Sequence, residues 1–167
     1  VHVIACIANL GLNAELPNSL VSLRSANIMH AMLMRGFTTV RDLGGADIGL
    51  KMALEEGAIT GPRLVICGKA LSQTGGHTDY RGRFHSRDVD YYRDRLGTLG
   101  RVVDGVDAVR RVAREVIKGG AEFFKMMTNG GISSPTDPIG FFGFSRDELL
   151  AAVEEARNAQ TYVAAHL

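Results

Sequence analysis

The chain has 167 residues, with 19 basic against 18 acidic side chains and a net charge of +1 at pH 7. That balance, with no basic run to supply an electrostatic footprint, argues against nucleic acid or an anionic membrane as the main partner. No apolar run approaches the roughly 20 residues needed to span a bilayer, while the length suffices for one domain with a sizeable core.

In chain order, Val1-His2-Val3-Ile4-Ala5 is expected to be the tail of a strand. Ser19 to Arg35 carries apolar residues at Leu20, Leu23, Ile28, Ala31 and Met32, close to helical spacing, and stops at Gly36. Phe37 to Asp42 is short and β-branched, a predicted strand closed by Gly44-Gly45. A short helix is predicted over Asp47 to Glu56 with Gly57 as its stop, then a strand over Arg63 to Cys67. Residues 68–104 are the least regular part, rich in Gly, Arg, Asp and Tyr, and a connection that long is usually functional or mobile. Val109, Val112, Ala113, Val116 and Ile117 mark an amphipathic helix over Val106 to Lys118.

Between Gly119-Gly120 and Asn129-Gly130-Gly131 runs Glu122-Phe123-Phe124-Lys125-Met126-Met127, which reads as a fully buried strand of a parallel sheet. Lys125 is expected near its carboxyl end, on the face of Phe123 and Met127. A bare ammonium there is costly, so it must be paired, neutral or chemically modified, unless its stem snorkels to water. A second long loop follows, then a capping box, Ser145-Arg146-Asp147-Glu148, opening a helix to Gln160. Thr161 to His166 is the last predicted strand.

Alternating strands and helices imply right-handed βαβ crossovers and a parallel sheet. No Gly-x-Gly-x-x-Gly follows a strand and no P-loop is present, so nucleotide-binding doubly wound folds lose support. A TIM-type (β/α)8 barrel typically needs about 250 residues. The five predicted strands and four helices are a little over half of one. The expected fold is therefore an incomplete α/β barrel, roughly its strands 1 to 5, with residues 1–167 forming one catalytic barrel domain truncated at both ends. In such barrels the chemistry sits at the carboxyl ends of the strands. The polar residues expected there are His2, Arg41 with Asp42, the loop residue His77, Lys125 and His166. His30, mid-helix, and His85, in a charged loop, read as ordinary hydrogen-bonded histidines rather than ligands. Arg41 and Asp42 are expected to pair with each other under the rim. Cys6 and Cys67 form no Cys-x-x-Cys pair and read as buried reduced thiols, consistent with a cytoplasmic protein; no secretory signal is visible.

Several ordered segments resemble the amidohydrolase superfamily. They are Gly36 to Asp42, Gly61-Pro62-Arg63, Ser72-Gln73-Thr74-Gly75-Gly76-His77, Phe124-Lys125-Met126, Ser133-Ser134-Pro135-Thr136-Asp137-Pro138 and Tyr162-Val163-Ala164-Ala165-His166. The nearest branch is the prolidase-like (Xaa-Pro dipeptidase) group, itself similar to imidazolonepropionase. The resemblance implies a barrel whose first strand ends in His-x-His, both metal ligands, with His2 matching the second. It implies that Lys125 reacts with carbon dioxide to give a carbamate bridging two divalent ions, zinc being expected, and that His166 is the ligand from the fifth strand. Further ligands would lie beyond both ends of the chain. His77 matches a histidine near the substrate, expected to assist carbonyl polarisation, and Asp137 shapes a loop or meets a substrate amine.

The implied reaction is hydrolysis of an amide or peptide bond in a dipeptide or N-acyl amino acid by a metal-activated hydroxide. Two other readings stand beside it. Lysines at barrel strand ends also form Schiff bases, which would make Lys125 the nucleophile of a lyase. A half barrel with open sheet edges could also be an inactive chain that self-associates as a homo-oligomer.

Overall fold

The computed structural model describes residues 1–132 and 134–167. Ser133, the first residue of the Ser133 to Pro138 segment, lies outside the described residues. The elements are α1 Leu10–Glu15, α2 Asn18–Met34, β1 Thr39–Asp42, α3 Ile48–Glu55, β2 Arg63–Ile66, β3 Ala70–Ser72, β4 Gly100–Val102, α4 Val106–Lys118, β5 Phe124–Met127, α5 Arg146–Asn158 and β6 Val163–His166.

Local chemistry sets most boundaries. Asp47 and Ser145 cap α3 and α5 by accepting the backbone N–H groups of Leu50 and Glu148. The expected capping box is complete, because Glu148 reaches back to the Ser145 N–H at 2.7 Å. Asn9 caps the six-residue α1, which has too few turns to show a periodicity and was not expected. In α2 the buried stripe is Val21, Ser25 and Met29, whereas Leu23, expected to face inward, is exposed. With apolar residues on several sides of that helix, its inner face depends on what packs against it.

Every named strand pairing is parallel. β1 pairs with β2 from Thr39↔Arg63 to Asp42↔Ile66, and a second sheet runs in the order β4-β3-β5-β6. A backbone bond joins the two, the Glu122 N–H donating to Ile66 O at 2.8 Å, ahead of β5; the Gly45 N–H on Gly68 O at 2.7 Å ties the segments that follow β1 and β2. At the other side the Val1 amine donates to Arg41 O at 3.0 Å and the Leu43 N–H to Val1 O at 2.9 Å. That pair is a parallel ladder step about Asp42. The array thus runs Val1, β1, β2 continued by β3, β5, β6, in the order a partial (β/α)8 barrel requires, with β4 added beside β3. Among the described residues nothing joins its two outer members.

Two expectations are corrected. Val1 to Ala5 is not a strand beyond that single step, because the Ala5 N–H turns back to His2 O at 3.1 Å and the Val3 N–H is taken by Asp42. Residues 68–104 are not wholly irregular, since β3 and β4 lie in them and follow β2 without intervening helices. Each has only three residues and is fixed by its neighbours, with Val103 N–H on Ser72 O at 2.7 Å and Ala70 N–H on Leu99 O at 3.0 Å.

Two apolar cores flank this array. α4 and α5 cover Leu71, Phe124 and Met126 through Val109, Val112, Ala113, Ala152 and their neighbours. Val3, Ile4, Val21, Met29, Val40, Leu64 and Ile66 make the second. No helix among the described residues is long and apolar enough to cross a membrane.

Candidate active site

All four residues of β5 are buried, as a strand covered on both faces should be. Phe124 and Met126 point into the α4–α5 core, so Lys125 and Met127 occupy the opposite face. Lys125 is the second residue of β5 rather than its last, and it pairs with Ala164, while Met127 pairs with His166. His166 therefore shares the Lys125 face, one side-chain step nearer the carboxyl edge. Two residues of strand rise are about 7 Å, a gap that the four-carbon stem of lysine spans.

Lys125 is only 4% exposed, and burial pulls its amine below the ordinary lysine range. Burial likewise holds His166 below the usual imidazole range, with the charges of His77, Lys125 and His2 acting in the same direction and Asp137 opposing them. His2 is also held down by burial, against the pull of Asp42, and it too feels Lys125. In all three predicted ligands burial thus disfavours the charged form, and each imidazole senses the lysine.

His2 is positioned from β1. Its Nδ1 lies 3.2 Å from Gly44 O, and the next residue is clamped by Asp42, whose Oδ2 accepts the Val3 N–H at 2.7 Å. The other carboxylate oxygen of Asp42 accepts from Gly44 at 3.0 Å and Ala46 at 3.2 Å. The expected Arg41–Asp42 pair does not form. Adjacent strand residues point to opposite faces; Arg41 instead lies over Phe123 and Tyr162, 5.6 and 5.5 Å from the ring centroids.

His77 follows Gly75-Gly76 on the loop after β3 and reaches His166, Nε2 to Nε2, at 3.2 Å. Its Nδ1 stands 2.6 Å from Asp137 Oδ2. The loop after β5 that carries Asp137 is tied to the His77 loop, because Thr136 Oγ1 donates to Gly75 O at 2.5 Å. It also closes on itself, with Gly131 N–H on Asp137 O at 3.0 Å and Gly130 N–H on Phe141 O at 2.8 Å. A methyl group built on Gly131 would overlap the His77 ring at Nε2 and Cε1, so glycine is what lets the backbone approach. Asp137, expected only to shape the loop or meet an amine, is the direct partner of His77. A short Thr-Asp-Pro segment after a glycine pair carries too little pattern to reveal that. Among the described residues, four buried side-chain oxygens on these two loops, Gln73 Oε1, Thr78 Oγ1, Asn129 Oδ1 and Asp137 Oδ1, have no protein partner.

The structure thus brings His77, His166 and Asp137 into contact and places Lys125 on the same sheet face as His166. Two neutral imidazoles and a buried amine of reduced basicity are suitable donors for divalent ions. No group of three or more His, Cys, Asp or Glu side chains among the described residues is arranged to hold an ion by itself. These donors fit as part of a ligand set that needs the lysine, not as a closed site. His30 and His85 are exposed and remote from this chemistry, and Cys6 and Cys67 are free thiols, Cys6 only half-buried.

The model of the amidohydrolase family matches residues 4–167. Ochratoxinase from Aspergillus niger is 37% identical over 142 residues, 81% of this chain and 30% of that protein. A crystal structure of a prolidase complexed with N-methylphosphonate-L-proline superposes with a TM-score of 0.97 at 53% identity, covering 99% of this chain and 41% of that one. A Xaa-Pro dipeptidase with methionine bound in its active site gives a TM-score of 0.74 at 29% identity, covering 90% of this chain and 37% of its own. The chain spans well under half the length of each.

Proposed function

The chain belongs to the amidohydrolase family, and on that premise we propose that it forms part of the active site of a hydrolase cleaving a C–N bond in a dipeptide or N-acyl amino acid. The observation that carries the reading is the meeting of His77 with His166 on the face of the array that also holds Lys125. Similarity to a prolidase and to an ochratoxinase supports an amide or peptide substrate.

In this reading His2, His166 and a carbamate on Lys125 would hold two divalent ions, zinc being the expected metal, together with ligands from outside this chain. Such ions would supply an ionised water at neutral pH and polarise the scissile carbonyl. The neutral Lys125 amine would add through Nζ to carbon dioxide and release one proton, turning a buried neutral amine into an anion with two oxygens able to act as ligands. His77 turns Nε2 toward the reacting carbonyl and donates from there when that nitrogen is protonated, with Asp137 balancing the charge. Burial of Lys125 and Met127 limits the access of water to the lysine.

The test is hydrolysis of Xaa-Pro dipeptides and N-acyl amino acids by the natural full-length protein, with bound metal measured in parallel. Turnover that falls with chelation and returns with zinc is expected; activity indifferent to chelation overturns the reading. The lowered basicity of Lys125 favours one alternative as well, Schiff-base chemistry. Borohydride trapping of a carbonyl substrate on Lys125, without bound metal, would establish that instead.

A further inference from the structure

We infer that Asp137 is a positioning residue for His77, holding its imidazole with the proton on Nδ1 so that Nε2 is the nitrogen presented to the substrate. The inference rests on the proposed role of His77 and adds a partner to it. Asp137 is only 2% exposed, and its Oδ2 is 2.6 Å from Nδ1, the distance of a charge-assisted hydrogen bond. A carboxylate only accepts, so the proton of that bond belongs to the imidazole and the tautomer is fixed by the pairing. On its other side the ring meets the Gly131 backbone and the edge of His166, with ring centroids 4.4 Å apart and planes at 64°. The aspartate is itself held, because Thr136 bonds to Gly75 O and the Asp137 carbonyl takes the Gly131 N–H. The ring therefore has one orientation, set by a residue 60 positions away in sequence. A loop aspartate that served only its own fold would have no need to reach across to the neighbouring strand's loop.

The experiment is a double-mutant cycle in the natural full-length protein, using Asp137→Ala, His77→Asn and the pair. Asp137→Ala should lower kcat by about tenfold or more, the usual cost of losing an orienting partner, with KM within about twofold and metal content unchanged. In the His77→Asn background the same change should cost less than about twofold, because no ring remains to be oriented. Long-range proton–nitrogen NMR should show His77 protonated at Nδ1, and that signal should be lost in Asp137→Ala. Asp137→Asn keeps the volume and one acceptor oxygen, so it should fall between wild type and Ala; if the Ala variant fails to fold, the cycle runs with Asn. Equal losses in both backgrounds, or a wild-type His77 protonated at Nε2 and not at Nδ1, overturn the inference alone. A His77→Asn variant with wild-type kcat overturns the role of His77 and this inference with it.

Discussion

His77 and His166 meet nitrogen to nitrogen at 3.2 Å although 89 residues separate them in sequence. Two imidazolium ions would repel at that distance, so at least one ring must offer a lone pair. Burial and neighbouring positive charge lower the basicity of His166. The contact therefore couples the two rings: the proton one offers along it is the proton the other must lack.

Lys125 is the first place to test the reading. In the full-length protein Lys125→Ala should lose most bound metal and lower kcat by about 100-fold or more, the scale of a lost metal bridge. Its melting temperature should stay within a few degrees. A short carboxylic acid added to Lys125→Ala should restore part of the rate by supplying the missing oxygens. Lys125→Arg should restore nothing, because a guanidinium stays charged and forms no carbamate. Metal analysis and steady-state rates of the Arg variant decide the matter; wild-type values there would remove Lys125 from the site.

Gly131→Ala should act through His77. The new methyl would strike the ring, whose Nδ1 is tethered to Asp137, so the imidazole can move only by giving up that bond. We expect kcat to fall by about tenfold with metal content preserved, since the nearest atoms to the new methyl belong to His77. A crystal structure of the variant should show the His77 ring displaced, and an undisturbed ring with full activity would contradict this.

Asp42 should prove structural. One carboxylate takes the backbone N–H groups of Val3, Gly44 and Ala46, and so ties the His2 segment to the turn after β1. Asp42→Ala leaves those buried donors without partners and should cost about 3 kcal/mol or more. Urea unfolding of the variant measures it, and a loss under about 1 kcal/mol would be too small for this role.

Lys69 supplies a pH dependence outside the site. Its Nζ donates to the carbonyls of Thr98 at 2.7 Å and Arg95 at 2.8 Å, fastening the end of the long loop. Burial, outweighing Asp47 and Asp42, pulls its pKa from 10.5 to about 8. Between those values the unfolded chain holds a proton that the folded chain has released, so stability rises with pH across the window. The gain is up to about 3 kcal/mol by pH 10.5, and it should be absent in Lys69→Met. Unfolding of both proteins from pH 7 to 10.5 gives the difference, and parallel pH curves would rule the effect out.

Helices with a full amphipathic stripe and a cap, such as α4 and α5, were legible in the sequence almost to the residue. So was the buried strand around Lys125, because a short apolar run between glycine pairs, broken by one charge, suits a strand covered on both faces. β3 and β4 were not, since three residues carry no period and their pairing is long-range. At the site, His2, Lys125 and His166 could be singled out because strand ends of a barrel converge, and Lys125 and His166 do share one face of the array. The partner of His77 was not, because the contact joins two irregular loops whose relative placement no local pattern encodes. Arg41 was misassigned for a related reason: its two aromatic neighbours come from β5's approach and the segment before β6.

Glu148 completes its own helix cap and also accepts the N–H of Gly105 at 2.7 Å, the residue that caps α4. One carboxylate thus fastens the starts of two neighbouring helices. The segment between β5 and α5 is consequently clamped at both roots, by the Thr128 bonds to Gly143 and His166 on one side and by this shared cap on the other. Between those roots only exposed side chains such as Ile132, Ile139 and Phe142 are free to vary without disturbing the frame, because Gly131 and Asp137 hold the His77 ring. In evolutionary terms the segment is a fixed mount with a few exchangeable surface positions, a means of altering what the site meets while the lysine and histidines stay where they are.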